Sequence, residues 1–322
     1  MALAAGHYLA TGKAGLVYMQ NSGLGNAVNP LLSLTDPAVY SVPVLMLIGW
    51  RGEPGIRDEP QHLRQGLVTL PLLETLGIKY ARLSPSDEDA SKVVAAAAQQ
   101  MHSDHAPCAL IVSKNIFGPY RGSSDQGNPY PLTREEAAGI VLSDLDPSSP
   151  VVATTGKLSR EIYEYREAEG RGHAGDFLNV GSMGHASQIA LGIALRKPER
   201  EVFCLDGDGA VLMHMGALAV TGSSGAKNFR HIVFNNGAHD SVGGQPTAGF
   251  MIDLPAVAGA CGYRLTGRAE SRAEILGHLR AFKDCRGPCL LEIRVRRGAR
   301  ADLGRPGMSP RENKAGFMKY LR

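Results

Sequence analysis

The sequence predicts an α/β protein with two domains, each built on a mostly parallel sheet. Apolar runs of strand length alternate with helix-like segments along the chain. A stretch rich in Gly, Pro, Ser and Asn at residues 117–132 interrupts this alternation and is typical of a linker. With 322 residues, the chain is long enough for two domains of ordinary size. We therefore expect a first domain at residues 1–118, a linker at 119–132 and a second domain at 133–322.

The elements of the first domain follow from their apolar runs. Four such runs predict strands, and an Ala-rich stretch between the last two predicts a helix. The strands are expected at residues 15–19, 42–50, 78–83 and 108–114, and the helix at 87–101.

The second domain begins with a helix-start signal. Thr133 and Glu136 have the spacing of a capping box, which predicts a helix from there to about Leu142. Further strands are expected at residues 151–154, 177–180, 202–205, 231–234, 263–266 and 289–295, and further helices at 185–195, 210–220 and 271–282.

The composition excludes several classes of protein. Hydrophobic residues make up 43% of the chain and charged residues 20%, as in globular proteins, and the net charge of +3 is too small to indicate a nucleic-acid partner. No apolar run reaches the roughly 18 residues of a membrane span, and no secretory signal is visible. Five cysteines without a C-x-x-C pair argue against a disulfide framework or a zinc site. We expect a cytoplasmic enzyme with neither a membrane nor a nucleic-acid partner.

Two turns at neighbouring strand ends carry the strongest chemical signal. Gly207-Asp208-Gly209 follows one predicted strand, and Asn235-Asn236 follows the next. A carboxylate and an amide are hard-oxygen ligands, which suit Mg²⁺ or Ca²⁺ and would here tie a diphosphate to the protein. The glycines let the backbone approach phosphates closely. Taken alone, the Gly-Asp-Gly turn would be an ordinary α/β turn with a surface aspartate.

A third loop, at residues 179–185, closes a predicted strand and opens a helix. Its glycines and the helix N-terminus can hold phosphate through backbone N–H groups. Met183 in this loop is either a core residue or a contact for a cofactor.

The order and spacing of these turns resemble the cofactor motif of thiamine diphosphate (ThDP) enzymes. Beyond them, the chain is similar over nearly its whole length to phosphonopyruvate decarboxylases and their sulfopyruvate decarboxylase relatives. The segments that carry this similarity are residues 18–26, 51–55, 58–62, 154–157, 235–245 and 301–306, of which 235–245 is the most specific. The resemblance implies two domains of the ThDP-binding fold, a pyrimidine-binding domain that is N-terminally incomplete and a diphosphate-binding domain.

The resemblance also implies a set of site residues. Mg²⁺ would be bound by the side chains of Asp208 and Asn236 and by the carbonyl oxygen of Ala238, with Asn235 supporting the turn. The residues implied around ThDP are Gly207, Gly209, Ser182, Thr155 and Gly156 at the diphosphate, Gly181 and Met183 at the bent pyrimidine, and Asn21, Ser22, Gly23 and Asn26 in the first domain. Because domains of different subunits form the site in this class, a homo-oligomer, a dimer or larger, is implied.

The implied reaction is the ThDP- and Mg²⁺-dependent, non-oxidative decarboxylation of 3-phosphonopyruvate to phosphonoacetaldehyde and CO₂, in phosphonate biosynthesis. ThDP supplies the electron sink that a 2-keto acid needs in order to lose CO₂. His239 is the candidate acid/base, since imidazole titrates near neutrality, although it could instead bond only to its own loop. His62 is a weaker candidate. The anionic tail of the substrate requires cationic or amide donors. The candidates are Arg51, Arg57, Lys114 and Arg121, although each of them taken singly is better explained as a solvated surface charge.

One feature departs from the resemblance. In the family, a cofactor-activating Glu lies a few residues before an Ala-Leu-Ala-Ala-Gly segment, whereas this sequence begins at Met1 within that segment, and none of its residues matches the Glu. We expect either a decarboxylase whose sequence starts inside the domain, with an exposed apolar face between Leu3 and Leu9, or a cofactor-binding subunit without catalysis. Sulfopyruvate decarboxylase is the alternative activity. Sulfopyruvate enzymes are often divided between two short subunits, which favours phosphonopyruvate for this chain.

Overall fold

A computed structural model describes residues 1–83, 85–118 and 129–322. The chain divides into two compact units, Met1–Ser123 and Ser124–Arg322. The predicted linker, residues 119–132, lies mostly outside the described residues, so the domain bounds given above stay a prediction. Among the described residues, no helix combines the length and the apolarity that crossing a bilayer requires.

The first unit contains a parallel sheet of four strands in the order β1-β2-β4-β3. Its strands are β1 (Gly15–Gln20), β2 (Val44–Gly49), β3 (Lys79–Arg82) and β4 (Cys108–Val112), and its α-helices are α1 (Ala2–Thr11), α2 (Leu24–Pro30), α3 (Pro60–Thr75) and α4 (Asp87–Asp104). The four predicted strands and the Ala-rich helix are thus confirmed, with shifts of a few residues at their ends.

The central strands of this sheet are buried and its edge is not. All five residues of β4 are buried, and the inward-facing side chains of β2, Val44, Met46 and Ile48, have no exposed surface. β1 pairs only with β2 among the described residues, and its Tyr18 is 71% exposed. Leu3 and Leu9 of α1 are also largely exposed, as the sequence predicted for that face.

The second unit is built on a parallel sheet of six strands in the order β11-β12-β8-β7-β5-β6. The strands of the unit are β5 (Val151–Ala153), β6 (Asp176–Leu178), β7 (Val202–Gly207), β8 (Phe229–Asn235), β9 (Ala238–His239), β10 (Gln245–Pro246), β11 (Leu265–Ala269) and β12 (Cys289–Arg294). β9 and β10 form a separate two-stranded antiparallel pair. The helices are α5 (Arg134–Asp144), α6 (Lys157–Ala168), α7 (Ala186–Arg196), α8 (Asp208–Met213), α9 (Ala217–Ser223), α10 (Leu254–Ala260), α11 (Arg272–Asp284) and α12 (Pro310–Tyr320).

Most of the six main strands are apolar runs because helices cover both faces of this sheet, whereas the edge strand β11 contains Thr, Gly and Arg and is mostly half-buried. One face packs mainly against α5, α6 and α11, and the other mainly against α7 and α10. The capping box at Thr133 and Glu136 is present and starts α5, as predicted.

One predicted helix is wrong in its extent. Residues 210–220 form parts of two short helices, α8 and α9, rather than one continuous helix. The backbone of His214, at φ −132° and ψ 49°, leaves the helical region, and Gly216 then caps α9. The pattern of small and apolar residues across this break contains no Pro that would have marked it.

Candidate functional site

The predicted site loops of the second unit meet at one edge of its sheet. β6, β5, β7 and β8 are consecutive neighbours, and the segments at their carboxyl ends are residues 179–185, 154–156, 207–208 and 236–241. The chain passes from β5 to β6 on one side and then to β7 on the other, so the strand order reverses between β5 and β7. Ligands of open α/β sheets bind at the carboxyl ends of the strands beside such a switch point.

Asp208 is a buried carboxylate at the centre of this edge, with 2% of its surface exposed. The Thr247 hydroxyl donates a hydrogen bond to it, as do the backbone N–H groups of Gly209 and Asn236. Burial raises the pKa of Asp208, although these bonds and nearby His239 partly oppose that effect. A buried carboxylate of this kind is stabilised in its charged form by a cation beside it.

The side-chain amides of Asn235 and Asn236, at the end of β8, make different hydrogen bonds. Asn235 is fully buried: its Oδ1 accepts from the N–H of Gly237, and its Nδ2 donates to the carbonyl of Gly249 and to Glu292. Asn236 uses its Oδ1 to accept from the N–H of Ala238 at 3.0 Å. Asn235 thus fixes the shape of the turn, while the backbone N–H of Asn236 contacts Asp208.

Close contacts at two glycines shape the space around Asp208. A methyl group on Gly249 would lie 2.5 Å from Oδ2 of Asp208 and 2.6 Å from Oδ1 of Asn235. A methyl group on Gly209 would lie 2.5 Å from Cε1 of His239. The imidazole ring of His239 therefore lies directly against the Gly-Asp-Gly turn, next to the carboxylate.

The loop at residues 179–185 is held in a strained conformation. Ser182 has φ 51°, a left-handed backbone conformation that is unfavourable for a residue with a side chain, and Gly184 has φ 84°. Ser182 is exposed and Met183 half-buried. Nδ2 of Asn179 is buried and has no hydrogen-bond partner among the described residues, so it is a donor available to a ligand.

Hydrogen bonds tie the neighbouring loops together. Ser159 donates to the carbonyl of Thr154 at 2.7 Å and, more weakly, to that of Asn179 at 3.4 Å. The backbone N–H of Lys157 donates to Oγ of Ser241 at 3.2 Å, which places the loop after β8 against the turn at Gly156, where φ is 105°. The loops after β5, β6 and β8 consequently form one connected rim.

A second buried polar group lies beneath the Gly-Asp-Gly turn. Ligand atoms of Cys204, Asp206 and His231 lie within 4.8 Å of one another, and all three residues are buried. Oδ1 of Asp206 accepts a hydrogen bond from the N–H of Gly207 at 2.9 Å. Nδ1 of His231 lies 3.3 Å from the hydroxyl of Tyr263. These bonds support the turn from inside the sheet.

Comparison with known proteins identifies the family. Residues 154–293 match the model of the C-terminal thiamine pyrophosphate-binding domain of thiamine pyrophosphate (that is, ThDP) enzymes. The chain is 35% identical to phosphonopyruvate decarboxylase of Streptomyces viridochromogenes, over 99% of this chain and 82% of that protein. It is 34% identical to phosphonopyruvate decarboxylase of Streptomyces hygroscopicus (99% and 81%) and 30% identical to sulfopyruvate decarboxylase of Methanosarcina acetivorans (99% and 85%). The chain belongs to the family of ThDP-dependent decarboxylases.

The ThDP-binding region of this decarboxylase contains the three loops of the rim and the Gly207-Asp208-Gly209 turn. The buried donor of Asn179 and the buried side-chain oxygens of Asp208 and Asn236 fit a diphosphate held through a hard cation. The roles assigned to individual residues from the sequence stay predictions.

Several of the predicted site residues lie in the first unit. Asn21 is fully buried, and its amide is committed to the backbone of Arg51 and to Thr69, so its side chain supports the end of β1. Ser22 and Asn26 are exposed and Gly23 half-buried. His62 is half-buried, and burial together with Arg51 lowers the pKa of its imidazole.

The candidate cations for the substrate tail differ in their surroundings. Arg51 makes a two-bond ion pair with Asp58, with distances of 2.8 and 2.5 Å. Arg57 and Lys114 are exposed, and Arg121 lies outside the described residues. Arg51 is therefore already engaged inside its own unit.

Sequence reasoning missed several residues of this decarboxylase that contact the site. Thr247 and Gly249 contact Asp208, and Asp240 contacts Asn236. Their sequence position a few residues beyond the Asn pair suggested that they lie near the site. It did not show which of them would contact the end of the strand.

Proposed function

We propose that this chain catalyses the ThDP- and Mg²⁺-dependent decarboxylation of 3-phosphonopyruvate to phosphonoacetaldehyde and CO₂. The observation that supports this most strongly is the identity of 35% and 34%, over 99% of the chain, to two proteins named phosphonopyruvate decarboxylase. Such a reaction belongs to the biosynthesis of phosphonates. By analogy with the class, we propose that the enzyme is a dimer or a larger homo-oligomer.

The proposed metal site uses three oxygen atoms of the second unit. Mg²⁺ would be bound by the carboxylate of Asp208, the amide oxygen of Asn236 and the carbonyl oxygen of Ala238. In support, the first two residues are in contact through a backbone hydrogen bond, and all three are at least 94% buried. A buried carboxylate without a partner is energetically costly, so burial of these oxygen atoms favours the binding of a divalent cation.

The proposed cofactor site surrounds this metal. Its diphosphate contacts would be Gly207, Gly209, Ser182, Thr155 and Gly156, with Gly181 and Met183 at the aminopyrimidine and Asn21, Ser22, Gly23 and Asn26 contributed by the pyrimidine-binding domain. When bound, ThDP supplies the electron sink for decarboxylation. The chain itself holds the diphosphate, excludes water and orients the 2-keto acid.

His239 is the proposed proton-transfer residue. Its ring lies against Gly209 and beside Asp208, at the carboxyl ends of the strands where the cofactor is proposed to bind. An imidazole is suited to donate and accept protons near neutral pH. His62 remains the second candidate.

Sulfopyruvate decarboxylase is the alternative function. A relative of that name also aligns with 99% of this chain, as a single polypeptide. The expectation that a single chain favours phosphonopyruvate is thereby weakened, although separately named α and β subunits also match parts of the chain. A sulfonate and a phosphonate make similar demands on donors in the pocket.

The test is turnover of each acid by the purified chain with ThDP and Mg²⁺. Aldehyde formation is measured with an NADH-coupled alcohol dehydrogenase, and ThDP binding by calorimetry. We expect phosphonopyruvate to react with a higher kcat/KM than sulfopyruvate, and Asp208→Ala to abolish both turnover and binding. Preference for sulfopyruvate would overturn the substrate assignment. Tight ThDP binding without turnover of either acid would instead identify a cofactor-binding subunit.

A further inference from the structure

A buried ion network lies beside the proposed metal site but outside the cofactor motif. Arg134, the first residue of α5, donates from Nε and Nη2 to Glu161 of α6 at 2.7 and 2.8 Å. Its Nη1 donates to Oδ2 of Asp240 at 3.1 Å. The side chains of Arg134, Glu161 and Asp240 are 9%, 1% and 9% exposed.

Asp240 connects this network to the proposed metal ligand. Its Oδ2 also accepts from Nδ2 of Asn236 at 2.6 Å and from the backbone N–H of Gly298 at 3.0 Å. Three donors from separate segments thus converge on one carboxylate oxygen. The bond to Asn236 is the shortest of the three, as expected for an amide donating to a charged acceptor.

These bonds determine which way the amide of Asn236 faces. Its Nδ2 donates to Asp240, and its Oδ1 accepts from the N–H of Ala238 at 3.0 Å. The reversed orientation would place oxygen against a carboxylate and NH₂ against an N–H group, so both contacts would become repulsive. The amide oxygen, which is the only atom of this side chain able to bind a hard cation, is therefore kept on the side away from Asp240.

Stability alone does not account for this network. Buried ion pairs lose so much solvation that replacing them with apolar residues is often neutral or stabilising. A two-bond Arg–Glu contact does, however, fix the guanidinium in one geometry, and that guanidinium in turn fixes Asp240. The arrangement is thus suited to hold Asn236 in one orientation.

We propose that Asp240, held by Arg134 and Glu161, is a positioning residue that presents the amide oxygen of Asn236 to Mg²⁺. This inference rests on the proposed function, because it requires the metal site. Residues that orient metal ligands in this way change metal affinity by about 10- to 100-fold when they are replaced.

The test is direct measurement of Mg²⁺ binding by calorimetry at saturating ThDP. We expect Asp240→Ala to weaken Mg²⁺ binding 10- to 100-fold, with turnover recovering to within about threefold at saturating Mg²⁺. Asp240→Asn keeps an acceptor oxygen for Asn236 and is expected to have a smaller effect, as is Arg134→Met, which leaves the carboxylate in place.

The matched control is Asp176→Asn. Asp176 also makes a two-bond pair with an arginine, Arg166, at 3.0 and 2.9 Å, and its side chain is 1% exposed. It lies at the start of β6, whereas the site lies at the carboxyl ends of the strands. This variant is expected to lower thermal stability and to leave Mg²⁺ affinity within about twofold of the wild type.

Each other outcome overturns the proposal in a distinguishable way. If Asp240→Ala and Asp240→Asn both bind Mg²⁺ like the wild type, the positioning role fails and the metal site stands. Losses well beyond 100-fold that are equal in both variants would make Asp240 a metal ligand instead. If the wild type binds no Mg²⁺ with ThDP, the proposed function fails together with this inference.

Discussion

At the scale of single residues, the chemistry of the site depends on what is buried beside Asp208. The sequence identified Asp208 and Asn236 because a Gly-rich turn and an Asn pair each follow an apolar strand. The sequence did not identify Thr247 or Gly249. These residues contact Asp208 because the chain folds back onto it, and no local sequence pattern predicts that contact. Polar residues at strand ends are predictable from sequence, whereas the residues that surround them depend on loop geometry.

Gly249→Ala tests how tightly the carboxylate is surrounded. The added methyl group would lie 2.5 Å from Oδ2 of Asp208, so either the carboxylate or the loop must move. We expect a loss of about 1–3 kcal/mol in the free energy of unfolding and a loss of more than tenfold in Mg²⁺ affinity. Urea unfolding and calorimetry measure the two effects.

The control for this variant is Gly192→Ala in α7, where a methyl group would meet no atom within 4 Å. Alanine in a helix is expected to raise the free energy of unfolding by up to about 1 kcal/mol and to leave Mg²⁺ affinity unchanged. Wild-type Mg²⁺ affinity in Gly249→Ala would contradict the crowding of Asp208.

Ser182→Gly tests whether the strain in its loop serves binding. The left-handed backbone at φ 51° disfavours serine and suits glycine, so we expect the free energy of unfolding to stay equal or to rise by up to about 1 kcal/mol. Loss of one hydroxyl bond to a charged phosphate is expected to weaken ThDP binding roughly tenfold. The control is His105→Gly, which relieves similar strain at φ 49° after α4. Unchanged ThDP affinity in Ser182→Gly would exclude a contact through this hydroxyl.

At the scale of elements, strands were predicted better than the loops and short helices between them. β4 and β8 are buried along their whole length, so their apolar runs mark them directly. The break between α8 and α9 escaped prediction because it depends on the backbone of His214, which is not a typical helix-ending residue, and the glycine that caps α9 lies two residues further on. Turn geometry of this kind is set by packing.

The loop between β2 and α3 provides an element-scale prediction on pH. The bonds from Arg51 hold the pKa of Asp58 well below its ordinary value, and the N–H groups of Glu59 and Gly52 add to this. A lowered folded-state pKa stabilises the fold above the unfolded pKa, near 3.9, and this stabilisation is lost as the pH falls through the folded-state pKa. We expect Asp58→Asn to lower the melting temperature by a constant amount between pH 5 and 7, and by progressively less below about pH 4. A difference that stays constant down to pH 2.5 would contradict this ion pair.

At the scale of the whole molecule, two parallel sheets follow from one alternation of apolar and helical segments repeated along the chain. Both sheets were predicted because covered parallel strands leave long apolar runs. The bounds of the linker were not tested, since most of it lies outside the described residues. The pyrimidine-binding and diphosphate-binding roles of the two units likewise remain proposals, because they depend on ligand contacts rather than on the pattern of strands.

Ligand-linked stability tests those roles on the intact chain. A ligand that binds only the folded state, supplied at 100 times its Kd, stabilises that state by about 2.7 kcal/mol. Since the proposed metal joins the diphosphate to Asp208, ThDP and Mg²⁺ together should raise the melting temperature more than the sum of their separate effects. EDTA should reverse this gain, and Asp208→Asn should remove it. If ThDP raised the melting temperature equally in EDTA, or in Asp208→Asn, the cofactor would be held without the metal and the diphosphate contacts would have to be reassigned to the backbone and hydroxyl donors of the rim.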